Sequence, residues 1–334
     1  MAKYSFPIVF MTDPIVDGKL YGIERNDAEG NSRFVATSIK NALSSLCPEV
    51  LMFESAESYL AHITELRNWL MFSTQYGIAA PSSKARIPAI CEANGISFVG
   101  ADSYTHMICN DKYLSKKYIQ DFGLKTAQCV LIRNSFSQYE LNQLHFLRFP
   151  VIIKPNFGGG STGITEKSIQ YTFSGAIEHI ALLQKYHHQP ILVEEYIPGY
   201  EIEVIVFGNK ERICLMEEVQ IRLHNTEYFT TEIYDLNSKK IVEDASSLCY
   251  SSFLREKDRM AISKLFQSFP KSEYMRIDCR IHDGDAYVIE LSPDCYLGED
   301  GGVYMAFKKH GVEFSEMFSL MIENSIFPEN PIYL

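Results

Sequence analysis

A chain of 334 residues is too long for one ordinary hydrophobic core, so two or three domains are expected. Hydrophobic residues make up 46% and charged residues 22%, the balance of a globular protein rather than a disordered or membrane-embedded one. The 31 basic and 42 acidic residues leave a formal charge of −11, which argues against a nucleic-acid footprint or an anionic-membrane surface but leaves room for a nucleotide held by a few local lysines and arginines.

The eight cysteines, at positions 47, 91, 109, 129, 214, 249, 279 and 295, form no C-x-x-C pair and sit mostly in apolar or strand-like runs. That usage fits reduced, buried thiols of a cytoplasmic protein. Cys295 has the setting for a catalytic thiol, beside an acidic hairpin, but structural cysteine is the commoner reading. No positively charged region leads an apolar core at the N-terminus, and no apolar run reaches membrane-spanning length, so neither signal peptide nor membrane span is expected.

In chain order, residues 6–11 (FPIVFM) suit a buried strand and residues 13–31 read as loop. Apolar residues at Phe34, Val35, Ile39, Ala42, Leu43 and Leu46 predict a helix over 32–46. Strands follow at 50–53, 69–72 and 96–100, with helices over 55–66 and in the later part of 81–95. This alternation predicts an α/β layer with a largely parallel sheet over residues 1–108. Residues 110–122 (NDKYLSKKYIQDF) form a capped helix whose buried stripe is expected at Tyr113, Leu114, Tyr118 and Ile119. Lys112 falls in its first turn, against the helix dipole, where an anion partner would explain it; an exposed lysine is the default.

Residues 151–167 (VIIKPNFGGGSTGITEK) run from a strand ending at Lys154-Pro155 into a glycine-rich loop and a further short strand. Gly158 to Gly163 fits G-x-G-x-x-G, yet no helix opens after it, so a dinucleotide fold is rejected; the missing lysine rejects a P-loop. What remains is a loop whose Gly159, Gly160, Ser161 and Thr162 let backbone N–H groups and hydroxyls wrap phosphate oxygens. A helix over 175–188 is followed by residues 191–207 (ILVEEYIPGYEIEVIVF), two strands joined at Pro198-Gly199 and carrying Glu194, Glu195, Glu201 and Glu203. Glu201 is placed to accept hydrogen bonds from a sugar. Residues 212–219 read as strand, 225–240 as a long loop of the kind that acts as a lid, 255–269 and 311–326 as helices, and 292–302 as an acidic, glycine-rich loop.

The most informative stretch is residues 274–291, YMRIDCRIHDGDAYVIEL, a hairpin turning at Asp283-Gly284. A two-residue turn would place Asp278 and Glu290 on opposite faces. A three-residue loop with Gly284 left-handed would put Arg276, Asp278, Glu290 and Ser292 on one face and every apolar residue but Val288 on the other, and binary patterning favours this register. Two carboxylates, one or two guanidiniums and a hydroxyl on a rigid sheet suit Mg²⁺ bridging to phosphates, the alternative being a solvated sheet face with an Arg–Asp pair.

Six of these stretches, in order, resemble the ATP-grasp superfamily and within it the D-alanine–D-alanine ligases: NDKYLSK, VIIKP with GGGSTG, EEYIPGYE, YDLNSK, RIDCR and VIELS. The resemblance runs from about residue 95 to the end and implies the ATP-grasp fold: three α/β domains, here 1–108, 109–190 and 191–334, with ATP between the central and C-terminal ones. It implies that Lys112 and Lys154 contact ATP phosphates or the adenine end, that Gly159, Gly160, Ser161 and Thr162 hold the phosphates, that Glu194 with the backbone of Glu195 and Ile197 reads adenine, and that Glu201 reads the ribose. Asp278, Glu290 and Ser292 would ligate two Mg²⁺ ions, with Mn²⁺ as a substitute. Arg276, Lys239 and Ser161 would act on the transferred phosphate. The implied reaction joins a small-molecule carboxylate to an amine: the carboxylate attacks the γ-phosphate, and the amine displaces phosphate from the acyl phosphate. The related ligases suggest a homodimer.

This chain departs from the family pattern where Ser292 replaces the asparagine of E-x-N and weakens one metal position, for which Asp294 could compensate, where H-G-x-S-x-E and H-G-x-x-G-E-D are absent from the first domain, and where residues 297–301 read LGEDG. Glu299 and Asp300 there would repel a second substrate's carboxylate, so substrates other than two D-alanines are expected. The competing readings are a D-alanine–D-alanine ligase proper, a non-catalytic ATP-binding module, and a relative that forms a thioester or carboxylates its substrate.

Overall fold

The computed structural model describes residues 2–14, 33–76, 80–133, 136–161, 163–223, 226–233, 246–332 and 334. The first sheet contains β1 (Ile8–Met11), β2 (Val50–Phe53), β3 (Leu70–Ser73) and β4 (Phe98–Val99), all parallel, in the order β2-β1-β3-β4. Alternate β1 side chains enter two different cores, Ile8 and Phe10 on one face and Val9 and Met11 on the other. A strand covered on both faces must be apolar throughout, which is why this one reads as an unbroken run. The helices here are α1 (Arg33–Leu46), α2 (Ala56–Leu60), α3 (Ile63–Leu66) and α4 (Arg86–Asn94). The single helix expected over 55–66 is thus two short ones, the first capped by Ser55 accepting from the Ser58 amide.

Next come α5 (Ser103–Asn110) and α6 (Lys112–Gln120), with Asp111 capping α6. The expected stripe of α6 is corrected. Its buried residues are Lys112, Ser115, Lys116 and Ile119, while Leu114 is exposed. Hydrophobic periodicity misplaces the face because buried carboxylates compensate the two lysines, as described below.

The central sheet is built from β5 (Cys129–Ile132), β6 (Val151–Pro155), β7 (Ile169–Gln170) and β8 (Ile191–Glu195), in the antiparallel order β5-β8-β6-β7. It packs on α7 (Gln138–Leu144), which has a Ser137–Glu140 capping box, and α8 (Phe173–His187). The glycine-rich loop connects β6 to β7, two antiparallel neighbours, so it opens no helix. β8 and β9 (Gly199–Gly208), read as two strands joined at Pro198-Gly199, lie in different sheets, so the joint is a crossing between layers. At Gly199, with φ of +150°, a Cβ would collide with the backbone carbonyl of Ile281.

The largest sheet contains β9, β10 (Ile213–Leu223), β11 (Tyr228–Phe229), β12 (Ser246–Ser251), β13 (Tyr274–His282) and β14 (Asp285–Ser292), in the order β12-β10-β9-β13-β14 with β11 on β9. On one face Val204, Val206 and Ile277 pack against Ile262, Leu265 and Phe266 of the helix Glu256–Ser268. On the other, Ile205 and Phe207 share a core with Phe307 and Phe318, from helices Gly302–Lys308 and Phe314–Ile326, and with Phe10 of β1.

The β13–β14 hairpin brings Asp278 opposite Glu290 and Arg276 opposite Ser292, but not by the expected device. The turn has two residues, Asp283 and Gly284, both left-handed (φ +49° and +76°), as a type I′ turn demands. Parity changes instead at a β-bulge: Asp278 pairs with Glu290 and Cys279 with Val288, leaving Ile289 unpaired. The bulge turns Val288 into the core with Cys279 and Ile281, and turns Ile289 to the polar face, so the apolar exception is Ile289 rather than Val288. The Ile289 carbonyl, released from the ladder, accepts from the buried Lys116 Nζ at 3.4 Å.

All eight cysteines are unpaired thiols, none fully exposed. Burial pushes the Cys295 thiol well above the ordinary range, which disfavours the reactive thiolate. Among the described residues no helix is long and apolar enough to cross a membrane.

Candidate active site

The floor of the main cleft is the polar face of β9, β13 and β14. Their registers align Glu203, Asp278 and Glu290 in one row across three strands. Arg276 sits over this row, its guanidinium forked onto Asp278 at 2.8 and 3.0 Å and 3.4 Å from Glu203. One strand step away, Arg280 pairs with Glu201 at 2.6 Å and donates to the Tyr196 hydroxyl and the Ile197 carbonyl at 3.0 and 3.1 Å. Burial drives the Asp278 carboxyl up to about 7, helped by the neighbouring charges of Glu203 and Glu290 and opposed by Arg276. Glu290 goes the other way. Burial would raise it, but Lys112, Lys84 and Lys154 together outweigh that and hold it at about 2.

The opposite wall comes from α6, β6 and β8. The Glu194 carboxylate, fully enclosed, binds Lys154 on one side and Lys116 at 2.7 Å on the other. Both lysines depress Glu194 against the effect of burial, and Glu194 in turn keeps Lys154 charged above its ordinary range. Lys112, one turn before Lys116, donates to the Gly158 carbonyl at 2.5 Å and lies 3.1 Å from Glu290, tying the glycine-rich loop to the floor. Burial and the nearby Lys154 and Lys84 lower Lys112, with Glu290 opposing. Gly159, Gly160 and Ser161 line the cleft, Ser161 itself left-handed at φ +56°. The Glu195 side chain turns away to hold Arg148 at 2.9 Å. Ile197 and Glu201 also line the cleft. Thr162 and Lys239, expected at the phosphates, lie outside the described residues.

A D-ala D-ala ligase C-terminus family model matches residues 118–323, well over half of the chain. The chain belongs to the D-Ala–D-Ala ligase family. D-alanine–D-alanine ligase A of Bacillus cereus is 26% identical over 239 residues, covering 70% of this chain and 74% of the relative. Among solved structures, D-alanine–D-alanine ligase from Bacillus anthracis superposes with a TM-score of 0.74 at 18% identity, covering 96% of this chain and 98% of that one. VanG D-Ala:D-Ser ligase from Enterococcus faecalis gives 0.71 at 16% identity, covering 97% and 100%. These superpositions establish the ATP-grasp fold.

This member of the D-Ala–D-Ala ligase family also places in the cleft residues that sequence reasoning passes over. Glu203 and Arg280 carry a signal, being two residues from Glu201 and Asp278 on strands of period two. Lys116 carries one as well, four residues from Lys112 on a helix. Asp294 carries another, as the acidic residue two places beyond Ser292 that the family resemblance offers in compensation; Lys84 carries none. They meet at 2.7 Å, both buried, Lys84 from the turn before α4 and Asp294 from the loop after β14. Glu299 and Asp300 are instead exposed and absent from the cleft lining, bound to Ser38 at 2.8 Å and Tyr296 at 2.6 Å. Asp294, from the same loop, does line the cleft.

Proposed function

We propose that this chain is an ATP-dependent ligase joining a small-molecule carboxylate to an amine, making a peptide or amide bond through an acyl phosphate. The observation that carries the reading is the opposed charge of the two walls: one carboxylate among three lysines above, and three carboxylates in a row with Arg276 below. Polyphosphate needs the first wall, and a divalent cation needs the second. Ile152, Ile221 and Ile289, on the same cleft, offer the apolar faces on which a purine stacks.

Lys112 and Lys154 hold phosphate oxygens, and the backbone N–H groups of Gly159, Gly160 and Ser161 wrap them. Glu194 positions Lys154 and Lys116 and, with the backbone of Glu195 and Ile197, faces the base; Glu201, steadied by Arg280, takes the ribose hydroxyls. Among the described residues no three His, Cys, Asp or Glu side chains form a ready-made metal cage. The donor set instead fits Mg²⁺, which takes one or two carboxylates and completes its shell with phosphate and water. Asp278 and Glu290 would hold it with the Ser292 hydroxyl nearby, and the ion would neutralise charge on the phosphates. Arg276 steadies the phosphoryl group as the substrate carboxylate attacks, and a closed cleft keeps water from the acyl phosphate until the amine arrives.

The relatives' names make D-alanine the first substrate to try. Incubation with Mg-ATP and pools of D- and L-amino acids, amines and small carboxylic acids should release ADP. It should also yield a product lighter by one water than its two precursors. A wild-type protein that binds no Mg-ATP, or that releases ADP no faster than Glu290→Gln in every pool, would overturn the reading.

A further inference from the structure

We propose that Lys84, carried into the cleft by the first domain, contacts the terminal phosphate of the bound nucleotide, and that Asp294 holds its ammonium until that phosphate arrives. The inference rests on the ATP-binding reading above and adds to it a residue from outside the nucleotide-binding sheets.

Position is the first argument. A Cβ built on Gly159 would lie 2.9 Å from Lys84 Nζ, so the ammonium rests directly against the glycine-rich loop. The Tyr76 ring lies 5.1 Å from it on the first-domain side. Together with Lys112 and Lys154, Lys84 is one of three cations acting on Glu290. A phosphate between the loop and Glu290 is therefore within reach of all three.

The partner is the second argument. The Lys84 and Asp294 side chains are only 6% and 5% exposed. A buried ion pair is a poor stabiliser compared with apolar packing, so packing alone does not account for it. Neither carboxylate oxygen of Asp294 has a well-directed hydrogen bond, and the 2.7 Å contact with Lys84 is what compensates its charge. A carboxylate held this way yields to a dianionic phosphate. Lysine, a point charge on a flexible stem, can change partners without rebuilding the site.

The two roles predict opposite effects of neutralising the two partners, which a merely structural pair would not. Calorimetric titration with Mg-ATP and with Mg-ADP reads both. Lys84→Met should weaken ATP roughly tenfold or more while moving ADP by less than about threefold, and Lys84→Arg should restore most of the loss. Asp294→Asn should bind ATP more tightly than wild type, because the competing anion is gone. Should Lys84→Met fail to fold, Lys84→Gln gives the same reading, with folding checked by circular dichroism. Equal loss of ATP and ADP in both variants, or no change in Lys84→Met, would overturn the proposal and leave the ligase reading intact. Wild-type protein that binds neither nucleotide would overturn the ligase reading itself.

Discussion

Two buried charge clusters face each other across the cleft and are built on opposite principles. Around Glu194, two enclosed lysines share one carboxylate, and the carboxylate is held well down. In the other cluster, Asp278 and Glu203 share Arg276 while Glu290 beside them takes Lys112, and burial pushes Asp278 up to about 7. The first cluster satisfies itself internally and fixes the positions of its lysines. In the second, one guanidinium meets two carboxylates among the described residues, and a strongly perturbed buried carboxyl in a cleft marks a candidate functional site. Burial alone does not decide which way a carboxylate shifts; the local count of partners does.

The largest effect should come from the row of carboxylates. Glu290→Gln should lower ADP release ~10³-fold, well beyond what Lys112 losing its partner does to stability, because in the proposed reading this carboxylate holds the Mg²⁺ that neutralises the phosphates. Steady-state assay beside a thermal melt checks it, and retained turnover would contradict the assignment. At the self-satisfied cluster the loss should appear in stability instead. Glu194→Ala leaves Lys116 and Lys154 buried and unpaired and should cost about 3–5 kcal/mol in urea unfolding.

A third test concerns the rim where Lys84 and Asp294 meet. His106 is buried there, facing Asp294, Asp102 and Glu92 on one side of the balance and Lys84 on the other, and burial lowers it to about 4. An unfolded chain takes up that proton near pH 6.5 and the native one does not, so stability falls as pH drops from about 6.5 towards 4, by about 3 kcal/mol in full. In His106→Asn this part of the acid limb should vanish from a series of urea midpoints against pH.

The smallest effect tests the bulge. Val288→Ala, which truncates a core side chain, should cost about 1–3 kcal/mol. Ile289→Ala, on the cleft face, should cost under about 1 kcal/mol and weaken ATP instead. Comparable losses at the two positions would place the register elsewhere.

The glycine-rich loop and the acidic hairpin are legible in the sequence because their chemistry is local. Three glycines after a strand-end lysine, and Asp278 and Glu290 near a tight turn, are patterns a few residues long. The α6 stripe is misread from periodicity for a related reason. Lys112 and Lys116 are buried only because Glu290 and Glu194, far away in sequence, receive them.

By itself the sequence determined the strand and helix periods, the loop chemistry and the order of motifs that marks the family, all of which depend on near neighbours. Tertiary structure decided the rest. A bulge at Ile289, not the turn, set the face of Glu290, because core packing of Val288 against the sheet chose the register. Three strands had to pair before Glu203, Asp278 and Glu290 became one row. Lys84 reached Asp294 across 210 residues of chain, through long-range packing that no local spacing encodes.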